Sequence, residues 1–221
     1  MRSTNSTKVR RLTGISLLLA LAIALGFLAN YVQFGPFSIT LSLIPIVICA
    51  ILYGPISGLI CGLAVGVVTI VAPATLAMIS TMQSVSSLPA WVVTIEIIAV
   101  CLIKMGLAGL IPGLIFKVFE KKHFNIGVIL AGISAPIVNT GLFAFFMSTL
   151  MRSDLNAAYN TTGANFGYFL FVGMIGINFI IEFSVNAIVS PALVYVCKFA
   201  FKNKNIGTNV IGNNGETEKA A

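Results

Sequence analysis

Long apolar runs separated by short polar or charged breaks dominate this chain, and the runs have the length of membrane crossings. After a polar, basic stretch (residues 1–11, with Arg2, Lys8, Arg10 and Arg11), the first run extends from Leu12 to about Phe34. Gly35-Pro36 signals a turn into a second run, Phe37 to Tyr53, and Gly54-Pro55 a turn into a third, Ile56 to Ser80. A serine-rich, uncharged loop from Thr81 to Pro89 precedes a fourth run, Trp91 to Phe119. The charged loop Glu120 to His123 leads into a fifth, Phe124 to Leu150. Arg152 to Asn165 is the longest polar connection, and the sixth run spans Phe166 to Phe201. Crossing a bilayer core takes about 20 apolar helical residues. The pattern therefore predicts an all-α membrane protein, a bundle of about six transmembrane helices over residues 12–201. The basic residues 1–11 precede it, and the Asn- and Gly-rich tail 202–221 is expected to be disordered.

Composition agrees with the pattern. Hydrophobic residues make up 58 % of the chain and charged residues 9 %, with a mean hydropathy of +1.03. A soluble domain carries roughly a quarter of its residues charged. The net charge of +7 does not imply nucleic acid as a partner, because the basic residues gather at run ends. The amino terminus, the fourth-to-fifth loop (Lys117, Lys121, Lys122) and the carboxyl end (Lys198, Lys202, Lys204) are basic; the first-to-second and third-to-fourth connections are uncharged, and the fifth-to-sixth carries only Arg152 and Asp154. This alternation predicts that both termini are cytoplasmic. Cys49, Cys61, Cys101 and Cys197 lie inside apolar runs without metal-type spacing and are expected as small core residues. No metal or cofactor is expected. Gly58, Gly62 and Gly66, and Gly109 and Gly113, recur every fourth position, a spacing that lets helices approach closely in lipid.

Against this background, polar residues at membrane depth stand out, since each is costly unless partnered. Lys104, Asn139 and Asn178 lie about 11 to 12 residues from the outer ends of the fourth, fifth and sixth runs, hence roughly 16–18 Å deep at 1.5 Å per residue. Glu182 and Asn186 follow Asn178 at one-turn intervals, and Glu96 stands two turns above Lys104. Pro136, which breaks a helical hydrogen bond just before Asn139-Thr140-Gly141, adds irregular backbone of the kind tolerated beside a cavity. Lys104, Asn139, Asn178, Glu182 and Glu96 are the candidate residues for a polar ligand. An ion pair of Lys104 with Glu182 tying two helices together is the structural alternative. The sequence contains no Gly-x-x-x-x-Gly-Lys-Ser/Thr phosphate loop, no Gly-x-Ser-x-Gly and no His-Glu-x-x-His, so no ATPase or hydrolase chemistry is expected of it.

The segment Phe34-Gly35-Pro36-Phe37-Ser38-Ile39-Thr40-Leu41, followed by Leu52-Tyr53-Gly54-Pro55-x-x-Gly58, and the Ala20-Leu21-Ala22-Ile23-Ala24 stripe of the first run resemble the substrate-binding (S) components of energy-coupling factor (ECF) vitamin transporters, over about residues 8–202. Ala135-Pro136-Ile137-Val138-Asn139-Thr140-Gly141 and Asn178-Phe179-Ile180-Ile181-Glu182 are most similar to the pantothenate-type members. The resemblance implies a non-enzymatic subunit of a bacterial cell membrane. It implies capture of an extracellular vitamin between helices four to six, under the first loop. It also implies docking through Ala20 and Ala24 on a transmembrane coupling subunit that works with two ATPases. Lys104 could then neutralise a vitamin carboxylate. An S component for riboflavin or another vitamin, or a stand-alone proton-coupled carrier relaying protons through Lys104 and Glu182, are the alternatives.

Overall fold

Glycine and proline set several of the element boundaries. The computed structural model of the chain describes residues 2–29, 33–34, 37–38, 41–161 and 164–217, with side-chain detail within 8–28, 41–161 and 165–202, residues 174 and 177 apart. Helix α1 (Arg2–Ala29) leads to strands β1 (Gln33–Phe34) and β2 (Phe37–Ser38), which pair antiparallel with Phe34 opposite Phe37. The rest of the first-loop segment, residues 35–36 and 39–40, lies outside the described residues. Helix α2 (Leu43–Tyr53) stops where Gly54 takes φ +98°, a conformation that suits glycine, and Pro55 opens α3 (Pro55–Ile70) where no N–H is needed.

The apolar run from Ile56 to Ser80 is two helices with a bend between them rather than one straight helix. Ala72 is extended (ψ 139°), as the residue before a proline tends to be, and Pro73 starts α4 (Pro73–Val85) at 62° to α3. Helices α5 (Ala90–Phe119) and α6 (Phe124–Thr149) run unbroken through Pro112 and Pro136. The amphipathic α7 (Arg152–Tyr159) and short α8 (Ala164–Tyr168) precede a π-wound segment, Phe169–Gly176, and α9 (Ile177–Thr217). The tail expected to be disordered falls on residues whose side chains are mostly outside the described set; its backbone is described as helix to Thr217.

This is an all-α membrane-protein fold. Lys8–Leu28, Ala90–Phe119, Phe124–Thr149 and Asn165–Lys202 are each long and apolar enough to cross a bilayer, and the bent α3–α4 pair would make a fifth crossing. At 11 residues, α2 is about 16 Å long, roughly half a hydrocarbon core, and cannot cross alone.

Helices α3 and α5 meet backbone to backbone. A Cβ on Gly58 would strike the Gly109 carbonyl oxygen, one on Gly62 the Met105 carbonyl oxygen, and one on Gly113 would come 2.7 Å from the Pro55 Cα. These pairings run in opposite chain directions, so the two helices are antiparallel. At one end of the bundle, the Phe116, Phe124 and Phe201 rings cluster with centroids 5.4–6.1 Å apart. That cluster brings the ends carrying Lys117, Lys121, Lys122, Lys198 and Lys202 together. Pro55 beside Gly113 places the α2–α3 turn at the same end, and the Arg11 guanidinium donates to the Tyr53 carbonyl there (3.0 Å).

The core is divided along the bundle. One cluster holds Ile46, Cys49, Cys61, Val65, Met105, Ala108, Ala131, Ala135, Leu193 and Cys197. The other holds Met82, Ile97, Val100, Cys101, Met147, Met151, Leu155, Phe166 and Leu170. All four cysteines are buried and free, with the Cys49 and Cys61 sulfurs 3.2 Å apart.

Candidate functional site

Three long helices pass from one core cluster to the other, and each carries a polar residue where it does so. On α5, Met105 and Ala108 belong to the first cluster and Val100 and Cys101 to the second; Lys104 lies between. On α6, Ala135 and Val138 face the first and Phe143 and Met147 the second, with Asn139 between. On α9, Val189 and Leu193 pack on the first and Phe179 on the second, with Glu182 and Asn186 between. The polar groups thus form a layer at the seam of two apolar cores.

Glu182 is the centre of that layer. It is 1 % exposed, and its carboxylate accepts from Asn139 Nδ2 at Oε2 (3.4 Å) and from Asn178 Nδ2 at Oε1 (3.3 Å). Both bonds are long for amide-to-carboxylate contacts, which usually fall below about 3.2 Å. One turn further, Asn186 Nδ2 donates to the Glu182 backbone carbonyl (2.9 Å) and the Ser190 hydroxyl to the Asn186 backbone carbonyl (2.7 Å). Ser190 in turn sits against Gly132 on α6, where a Cβ would collide with its hydroxyl. The carbonyl oxygens of the Asn139 and Asn186 side chains are buried without a hydrogen-bond partner among the described residues.

The Lys104 ammonium lies 4.8 Å from the centroid of the Phe143 ring, one turn along α6 from Asn139. A cation over an aromatic face is held electrostatically without losing its charge. Lys104 thus faces a ring that stands one turn along α6 from the asparagine that meets Glu182. Glu96 is half-buried two turns away and has no hydrogen-bond or ion-pair partner among the described residues. The structure brings Asn139, Asn178 and Glu182 into one hydrogen-bonded group, and sets Lys104 over Phe143, one turn along α6 from Asn139. Phe143 and Ser190 are participants that sequence reasoning missed. Ser190 continues the four-residue ladder Asn178, Glu182, Asn186, whereas Phe143 is one aromatic among sixteen phenylalanines. Ala20 and Ala24 lie on the exposed face of α1, while Ala22 between them is buried.

A helical protein embedded in lipid, with a buried polar layer across three helices, has the make-up of a membrane transport subunit. The chain belongs to the ECF transporter, substrate-specific component family, whose model matches residues 10–194. No curated protein and no solved structure matches it. It is thus a substrate-capture subunit of an ECF importer and not an enzyme. Membership implies association with the family's transmembrane and ATPase modules and a small-molecule substrate.

Proposed function

We propose that this subunit captures pantothenate, or a similar small carboxylate-bearing vitamin, on the extracellular face of a bacterial cell membrane. In this reading the basic end of the bundle and both termini are cytoplasmic, in line with the positive-inside rule. The observation that carries the proposal is the stationing of Lys104. Its ammonium rests on Phe143, one turn along α6 from Asn139, which with Asn178 hydrogen-bonds to Glu182. A lysine at membrane depth is expensive unless something offsets it, and a ring face is a weaker partner than an anion.

A ligand carboxylate could take the ammonium from the ring as a charge-assisted hydrogen bond. The asparagines would then meet the ligand's hydroxyl or amide groups. Binding is kept separate from energy conversion, because the ATPase modules and the coupling subunit, reached through Ala20 and Ala24, do that work.

Calorimetric titration of the purified subunit with pantothenate, riboflavin and pyridoxine tests the assignment. Pantothenate is expected to bind saturably and the other two not to compete; preference for riboflavin or pyridoxine would replace the assignment.

A further inference from the structure

Three asparagine amides donate to one residue. Asn139 and Asn178 give their N–H groups to the Glu182 carboxylate, and Asn186 gives its own to the Glu182 backbone carbonyl. Two of those asparagines, Asn139 and Asn186, 5 % and 2 % exposed, are left with a buried carbonyl oxygen that no donor among the described residues meets. Buried acceptors are ordinarily satisfied, so each unsatisfied one calls for an explanation. An amide has one N–H end and one C=O end, and an ionised carboxylate can only accept. Which end of Asn139 turns toward Glu182 is therefore not free: the carboxylate selects the N–H end and turns the oxygen the other way.

We propose that Glu182 is a positioning residue that sets the hydrogen-bond polarity of the layer, making the free side of Asn139 an acceptor reserved for a ligand O–H or N–H donor. This rests on the reading of the layer as the substrate site. It sharpens the substrate class: a molecule with an acceptor or anionic group for Lys104 and, a short distance away, a hydroxyl or amide N–H for Asn139. A substrate offering only acceptors at that point would face oxygen against oxygen.

The polarity can be inverted and restored without changing side-chain size. In Glu182→Gln, the new amide donates to one asparagine and competes with its N–H, so the Asn139 amide no longer has a reason to present its oxygen. Pantothenate binding should weaken about tenfold or more, the scale of a lost charge-assisted hydrogen bond, while the melting temperature changes little. Asn139→Asp alone sets two carboxylates face to face and should lower both binding and melting temperature. When the two substitutions are combined, the introduced amide on α9 donates to the introduced carboxylate on α6. The second oxygen of that carboxylate is again an acceptor, and binding should return to within about threefold of the parent.

Calorimetric affinity for pantothenate, with melting temperatures of all four proteins, reads the cycle. Undiminished binding by Glu182→Gln, or a double variant no better than the worse single one, overturns the proposal. Loss of affinity in Glu182→Gln that merely follows loss of melting temperature would also overturn it, since that is what a structural role predicts. If the parent binds none of pantothenate, riboflavin or pyridoxine, the vitamin assignment fails, and the melting temperatures still decide the polarity. Recovery in the double variant then upholds it, and additive losses refute it.

Discussion

The contact of α3 with α5 and the packing around α4 and α7 are built on different terms. In the first, glycines remove side chains so that backbone meets backbone, and Gly58, Gly62, Gly109 and Gly113 have no room for a single added carbon. In the second, Met82, Met147 and Met151 are completely buried among Leu155, Phe166 and Leu170. Methionine is unbranched and flexible, and it fills irregular space that other side chains would leave open. The backbone differs in the same sense. Helix α3 is regular through the glycine contact, whereas the second region contains the 62° bend before α4 and lies next to the π-wound turn at 169–176. One part of the bundle tolerates no change of shape, and the other is made of residues that accommodate it. The polar layer sits at their border, with one side fixed and one side adaptable, which is a suitable place for a ligand to be admitted.

The comparison fails if the glycine contact proves tolerant. Gly62→Val is expected to cost more than about 3 kcal/mol, because the clash is with the Met105 carbonyl and not with a movable side chain. The yield of monodisperse protein and its melting temperature would show it. A well-folded Gly62→Val subunit would mean that the helices can separate.

At the border, Lys104→Met keeps length and removes charge. Pantothenate binding should fall about ten- to a hundredfold by calorimetry, equivalent to roughly 1.5–3 kcal/mol for a hydrogen bond to a charged group. Unchanged binding would remove Lys104 from the site.

In the adaptable region, Met147→Leu should shift stability by less than about 1.5 kcal/mol, as volume-conserving exchanges do. A thermal denaturation series comparing it with Gly62→Val would sharpen the contrast directly.

The smallest effect on the isolated subunit is expected from Ala20→Trp combined with Ala24→Trp. Both alanines point away from the bundle, so melting temperature and vitamin affinity should hold. Uptake by cells carrying the complete transporter should nevertheless be lost. Retained uptake would show that this face is not used for docking.

Much of the buried polar layer was legible because polar residues are conspicuous in an apolar chain. Lys104, Asn139, Asn178 and Glu182 could be chosen by counting residues from the ends of the runs, and the fold brings the last three together. What the count could not supply was partnership. Depth alone allowed Lys104 to pair with Glu182, and the structure puts Phe143 under the lysine and two amides on the carboxylate. Hydropathy is indifferent to direction, so the third run reads as one continuous helix, whereas Pro73 restricts Ala72 to extended backbone and bends the chain there. The second run was read as longer than its helix, because its first residues are apolar enough to belong to a span yet pair as β2. The core boundary that gives the polar layer its setting depends on which side of each helix faces which neighbour, and that is decided by tertiary packing.

Helix α1 shows what the membrane does to association. Among its described residues Ala22 alone is fully buried, and Leu17, Leu21, Phe27 and Leu28 face outward. In water such a surface would adhere almost irreversibly to any apolar partner. In a bilayer it is already dry, and a protein that covers it displaces acyl chains and not water. The exchange is close to balanced, decided by how closely the two surfaces fit. A surface solvated by lipid in this way can be occupied and vacated repeatedly without any part of the subunit having to unfold.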